Sequence, residues 1–236
     1  MKNFLLIAFL LFPCLSKGSE VELKIVTEEW PPFIINSAEV SGIITKNIRE
    51  ILAYTDIDYS ITIYPWARSL HIVSTRPNTL IYSITRTSER ENKFNWICSV
   101  FNYTPIYVYK LKSNIINAHS LEALKSGVVG IMRNDHSYEY FLNEGFKVGV
   151  NIDLSANEEI NLKKLIKGRV DVVIQSKESI EYRLKILGED NIDIVSGLSL
   201  GKNEDTQHCM ALSLGTNLEI IHKLRKAFKQ WQEDQQ

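Results

Sequence analysis

The residues of this chain that could do chemistry fall in a few short stretches. Glu28 and Glu29 stand side by side before Trp30, Arg68 follows Trp66 by two positions, and Arg86 and Arg90 belong to a charged stretch with Glu89 and Glu91. Further on, Asn134-Asp135-His136-Ser137 follows an apolar run ending at Met132. Arginine offers a planar fork of N–H donors that meets a carboxylate with two parallel charge-assisted bonds. An indole face contacts apolar stems and attracts cations, at about 0.5–2 kcal/mol. Glu28, Glu29, Asp135 and His136 are the groups that would act as acid or base in a reaction. No Ser/His/Asp order, metal-ligand spacing, Cys-x-x-Cys pair or phosphate loop accompanies them. These residues suit gripping a polar molecule better than transforming it, so neither an enzyme nor a cofactor is expected. Plainer readings stand beside this one. Arg90 pairs locally with Glu89 or Glu91, His136 is a surface residue, and a tryptophan is often largely buried in a core.

Such side chains need elements to position them. Val21, Leu23 and Ile25 alternate with Glu22 and Lys24, which predicts a half-buried strand ended by Pro31 and Pro32. Ile44, Ile48, Ile51 and Leu52 recur at helical spacing and predict a helix over residues 42–54. Alternation at Ile57, Tyr59, Ile61 and Ile63 predicts a second strand; a helix over 67–74 and a strand over 79–84 follow. This βαβαβ order points to a parallel sheet with helices packed on it. The pattern then restarts. Strands are predicted over 96–103 and 106–109, then a helix over 121–125 and a strand over 128–132. A helix over 138–143 is capped by Ser137 or Asp135 and ended by Gly145. A helix over 157–167, a strand over 170–175, a helix over 178–187 and a strand over 192–195 complete the second unit. The last helix, 218–231, puts Leu218, Ile221, Leu224, Phe228 and Trp231 on one face, so it docks on a core. No flexible linker separates the units. Two lobes joined by strands make a hinge, with a cleft where ligands bind.

With 236 residues the chain is long enough for two units of about 100 residues. Its formal net charge of −1 carries no basic excess for a nucleic-acid partner. Lys2, the apolar run over residues 4–12 and the small residues ending at Gly18 read as a secretory signal peptide, residues 1–18. That run is too short to span a bilayer, so the expected location is periplasmic. Cys14 follows Pro13, where a lipoprotein signal places a small residue, which argues against lipidation. Cys98 and Cys209 then remain, as one disulfide or as two buried thiols.

Three stretches carry a resemblance. Thr27-Glu28-Glu29-Trp30-Pro31-Pro32-Phe33, Tyr64-Pro65-Trp66-Ala67-Arg68-Ser69-Leu70 and Ser83-Ile84-Thr85-Arg86-Thr87-Ser88-Glu89-Arg90 resemble family 3 periplasmic solute-binding proteins, the polar amino-acid receptors of ABC uptake systems. The resemblance implies an α/β, two-lobed type II periplasmic-binding fold, each lobe a mostly parallel sheet flanked by helices. Lobe 1 would hold residues 19–103 plus 206–236, and lobe 2 residues 104–205. Two strand crossovers would lie near Tyr103 to Pro105 and near Asp205 to Cys209.

The resemblance also implies roles. Trp30 packs over the ligand and Trp66 forms a second wall. Arg90 grips the ligand's carboxylate, with Ser83 and Thr85 on the same group, and Arg68 adds a positive contact or covers its helix. Asp135 and Ser137 stand at a helix start, a natural anion site. Ser176 departs from the pattern, because amino-acid receptors often place there an aspartate that pairs with the ligand's ammonium. Another carboxylate, Asp135, Glu28 or Glu29, would have to serve instead, or the ligand is not a standard α-amino acid. The implied function is capture of a small carboxylate-bearing solute by a monomer, with a membrane permease or a sensor protein as partner. A periplasmic sensor is one alternative; a cyclic-acid dehydratase on the same fold is another.

Overall fold

The computed structural model describes residues 22–101, 104–200 and 207–235. The expected signal peptide and Cys14 lie outside them, as do Tyr103 and residues 205–206 of the two expected crossovers. The first sheet contains β1 (Leu23–Thr27), β2 (Tyr59–Ile63), β3 (Thr79–Thr85), β4 (Phe94–Phe101) and β10 (His208–Ser213), in the order β2-β1-β3-β10-β4. The second contains β5 (Ile106–Leu111), β6 (Val129–Met132), β7 (Ile152–Ser155), β8 (Val172–Ser176) and β9 (Ile194–Leu200), in the order β7-β6-β8-β5-β9. Each sheet is mixed. β1 runs parallel to β2 and β3, while β10 runs against β3 and β4. β6 runs parallel to β7 and β8, while β5 runs against β8 and β9. One reversed strand therefore sits inside each otherwise parallel set.

Helices cover both faces of the first sheet. On one face α1 (Ile43–Leu52) and α7 (Leu218–Asp234) bury Ile44, Ile48, Leu224 and Phe228 against Leu23, Ile25 and Leu212. On the other, α2 (Trp66–Thr75) buries Trp66 and Val73 against Val26, Ile81 and Ile84. Burial on both faces explains why β3 is buried at six of its seven positions instead of alternating. In the second sheet, α4 (His136–Asn143) places Phe141 in a core with Val129, Ile131 and Ile152. α5 (Glu158–Ile166) and α6 (Lys177–Leu187) pack Leu162, Leu165 and Ile180 against Val173. The remaining helix, α3 (Leu121–Leu124), contributes Leu124.

The elements follow the expected order, with local differences. β9 runs on to Leu200 instead of ending at residue 195. β7 has four residues, too short for its alternation to stand out. β10 is buried at five successive positions, so no polar residue marks its outer face. α4 starts two residues early, because the Asp135 carboxylate accepts the backbone N–H of Ser137 and is the cap; Ser137 lies inside the helix.

Cys98 of β4 and Cys209 of β10 are joined as a disulfide with their Cα atoms 4.4 Å apart. Every strand of the second sheet falls between these two residues in the sequence.

Candidate ligand-binding site

Three short segments bring their side chains to the gap between the sheets. The first follows β1. Its loop is tied by reciprocal backbone bonds between Trp30 and Ile34 (3.0 and 2.8 Å) and by Ile44 N–H donating to Phe33 O (3.0 Å). Gly42 permits this approach: at φ 105°, a Cβ there would meet Phe33 O at 2.4 Å. The second segment ends β3, where Ser83 holds a left-handed φ of 62°. The third links β6 to α4, where Asn134 does the same at φ 61°.

These segments enclose a cavity of ≈ 100 Å³. One water needs about 10–15 Å³ on the same kind of measure, so the space suits a small molecule. From the first sheet it is lined by Glu28, Trp30, Ser83, Thr85 and His208. From the second come Met132, Asp135, His136, Ser137, Tyr140 and Glu158, with Ile106, Ile174 and Leu200 as apolar floor. Trp30 lies against Phe33 (centroids 4.4 Å) and His208 (5.1 Å), which fixes its ring.

The charge of this lining is one-sided. Among the described residues it holds three carboxylates and neither lysine nor arginine. Burial, then repulsion from Glu158 and Asp135, holds the Glu28 carboxyl well above the usual carboxylate range. Burial raises Glu158 to about 7, even though Arg183 stands 3.6 Å away and Ser179 Oγ donates to it at 3.0 Å. Burial likewise pushes His208 down to about 4, so its imidazole is neutral at physiological pH. No group of His, Cys, Asp and Glu among the described residues is placed to hold a metal ion.

Of the residues singled out from the sequence, Glu28, Trp30, Ser83, Thr85, Asp135, Ser137 and, against its surface reading, His136 line the cavity. Trp66, Arg68, Arg90 and Ser176 do not. Trp66 is buried in the core of the first lobe, and its indole N–H donates to Asn134 O at 2.7 Å. Arg68 is exposed and stacks on Tyr64, 4.4 Å from the ring centroid. Ser176 is fully buried and caps α6 through the N–H of Ser179. Arg86 pairs with Glu91 on the surface.

Arg90 differs most from expectation. It is 2% exposed, and its fork is engaged by protein groups: Asn134 O and Glu139 Oε1, each at 3.0 Å, and Thr85 O at 3.4 Å. Asn134 and Glu139 belong to the segments beside the second sheet, so this arginine ties the two lobes together. Arg183 crosses in the opposite direction, donating to Glu29 O at 3.0 Å. Met132 of β6 also joins the apolar cluster around Trp66. Sequence reasoning missed Glu158, His208, Glu139 and Arg183. The first stands among ordinary helix-start acids, and the others act only through partners distant in the chain.

A two-lobed α/β body with a cavity between the lobes is the architecture of periplasmic binding proteins, and comparison with solved structures shows this fold. An ancestral arginine-binding protein bound to arginine superposes with TM-score 0.75 at 19% identity, over 90% of this chain and 93% of that one. A histidine kinase sensor domain with similarity to periplasmic binding proteins gives TM-score 0.75 at 14% identity, over 90% of each chain. The arginine-, lysine-, histidine-binding protein ArtJ from Geobacillus stearothermophilus gives 0.73 at 15%, over 91% of this chain and 90% of that one. No protein-family model and no curated protein matches the sequence.

Proposed function

We propose that this protein is an extracytoplasmic solute-binding protein of the family 3 type, which captures a small polar molecule between its lobes and delivers it to a membrane permease. The observation that carries the reading is the cavity itself. It is bounded by both lobes, has room for a small molecule, and carries polar side chains and Trp30 over an apolar floor. The named ligands of the structural neighbours put amino acids, and basic ones first, among the candidates. The signal-like N-terminus and the disulfide fit an oxidising compartment outside the cytoplasm. No helix among the described residues is long and apolar enough to cross a membrane. A second reading, a sensory role with a signalling partner, draws on the sensor domain among the neighbours.

The test is a thermal-shift screen of amino acids, amines, organic acids, sugars and short peptides. A ligand at 100 times its Kd stabilises the folded state by about 2.7 kcal/mol. For a chain of this size that raises Tm by roughly 5–10 °C. A hit recovered chemically unchanged after incubation supports capture over catalysis, whereas a modified hit favours the dehydratase-like alternative. A panel with no hit at millimolar concentration refutes the solute-binding reading.

A further inference from the structure

Resting on the solute-binding reading, we infer that the ligand is a small organic cation, an amine or guanidine of net positive charge, which presents that group to Glu28, Asp135 and Glu158 and needs no carboxylate.

The first support is the balance of charge. Glu28, Asp135 and Glu158 line one cavity from both lobes, and among the described residues no lysine or arginine lines it with them. Neither carboxyl oxygen of Glu28 accepts a hydrogen bond from the described residues. Trp30, 6% exposed, belongs to the same lining; its indole N–H has no partner and is a donor left for a neutral acceptor, so only its ring face bears on a cation. A cation set among the three carboxylates removes their mutual repulsion and offers Glu28 a donor, while the Trp30 ring supplies an aromatic face beside it.

The second support concerns where an anion would have to go. The two buried arginines near the cleft make their hydrogen bonds to protein groups, each leaving its Nε–H without a partner, and neither lines the cavity. Arg90 bonds Glu139, Asn134 O and Thr85 O, and Arg183 bonds Glu29 O and faces Glu158. The helix starts at the cavity are committed. The start of α4 holds the Asp135 carboxylate, and α5 carries Glu158 and Glu159 in its first turn. A ligand carboxylate would thus meet three acidic groups and, among the described residues, no cation in the lining. The cation is organic because no metal-ligating group converges here among the described residues.

The charge state of the acids gives the same sense. Burial and mutual repulsion hold Glu28 and Glu158 above their ordinary range, and a bound positive charge would return both to the ionised form.

The experiment compares matched pairs by calorimetry on the purified protein: arginine with agmatine, its decarboxylated counterpart, and lysine with cadaverine. Glutamate and succinate are the anionic controls. The decarboxylated member of each pair is expected to bind at least as tightly as the amino acid, and the anions are expected to give no heat. Glu28→Gln should weaken the cation by at least tenfold without lowering the Tm of the ligand-free protein. Tighter binding of the amino acid than of its decarboxylated partner, or binding of either anion, overturns the inference and leaves the solute-binding reading intact. Binding of a neutral sugar with no response to any cation has the same consequence. Failure of every compound in this set and in the wider panel removes the solute-binding reading itself.

Discussion

Removing Arg90 should loosen the lobes more than it unfolds them. The guanidinium makes two bonds of 3.0 Å to the opposite lobe, to Asn134 O and Glu139 Oε1, and one of 3.4 Å within its own, to Thr85 O. Hydrogen bonds to a charged group contribute about 1.5–3 kcal/mol each. The Arg90 side chain is 3% exposed, but that of Glu139 is 28% exposed and recovers water when the pair is broken. Its share therefore falls toward the low end, and at about 1.5 kcal/mol for each bond Arg90→Ala should cost about 4–5 kcal/mol in total. About 3 kcal/mol of that crosses the cleft, which shifts the closed-to-open balance by roughly 150-fold. The assay is a double-mutant cycle over Arg90→Ala and Glu139→Ala in urea, with small-angle scattering on each variant. A coupling of about 1–2 kcal/mol and an enlarged radius of gyration for Arg90→Ala are expected. Coupling below about 0.5 kcal/mol with unchanged dimensions would refute the assignment of Arg90 as a tie between lobes.

Two further outcomes follow from other residues. Glu158 titrates at about 7 in the folded protein against an ordinary 4.5, so between those values the folded state holds more protons than the unfolded one. Its stabilising contribution is full below 4.5 and is lost as pH rises through 7. Glu28 acts in the same direction, while His208, lowered to about 4, costs stability as pH falls below 6.5 and so opposes them. Subtracting the variant isolates Glu158: wild type should lose on the order of 2 kcal/mol relative to Glu158→Gln between pH 5 and pH 8, with parallel curves counting against it. Replacing Cys98 and Cys209 by serine opens a ring of 111 residues' separation and should cost about 3–4 kcal/mol in urea. A loss below about 1 kcal/mol would show that the cross-link contributes little.

Much of the fold is legible because its helices and outer strands bury one face. Ile44, Ile48 and Ile51 announce α1, and Leu224 and Phe228 announce α7. β10 is hidden for the opposite reason: burial on both faces leaves it without a period. The site is legible where a residue's type and its place at a strand end agree, as for Trp30 after β1 and for Ser83 and Thr85 closing β3. It is illegible where the partner decides the role. Arg90 carries the fork that suits a ligand carboxylate, but Glu139, 49 positions away, occupies it. Ser176 stands where an aspartate would meet an amine, yet it caps α6. Glu158 resembles any acid favoured in a first helical turn, and only the approach of Glu28 and Asp135 across the gap marks it.

The bond between Cys98 and Cys209 also decides what a protease can do to this molecule. All of the second sheet hangs from one closed ring of chain. Ile115, in a loop of that ring, is fully exposed and offers a ready point of attack. A single cut there yields two polypeptides that stay tethered, so the clipped protein keeps its mass on a non-reducing gel and separates only when a thiol reagent is added.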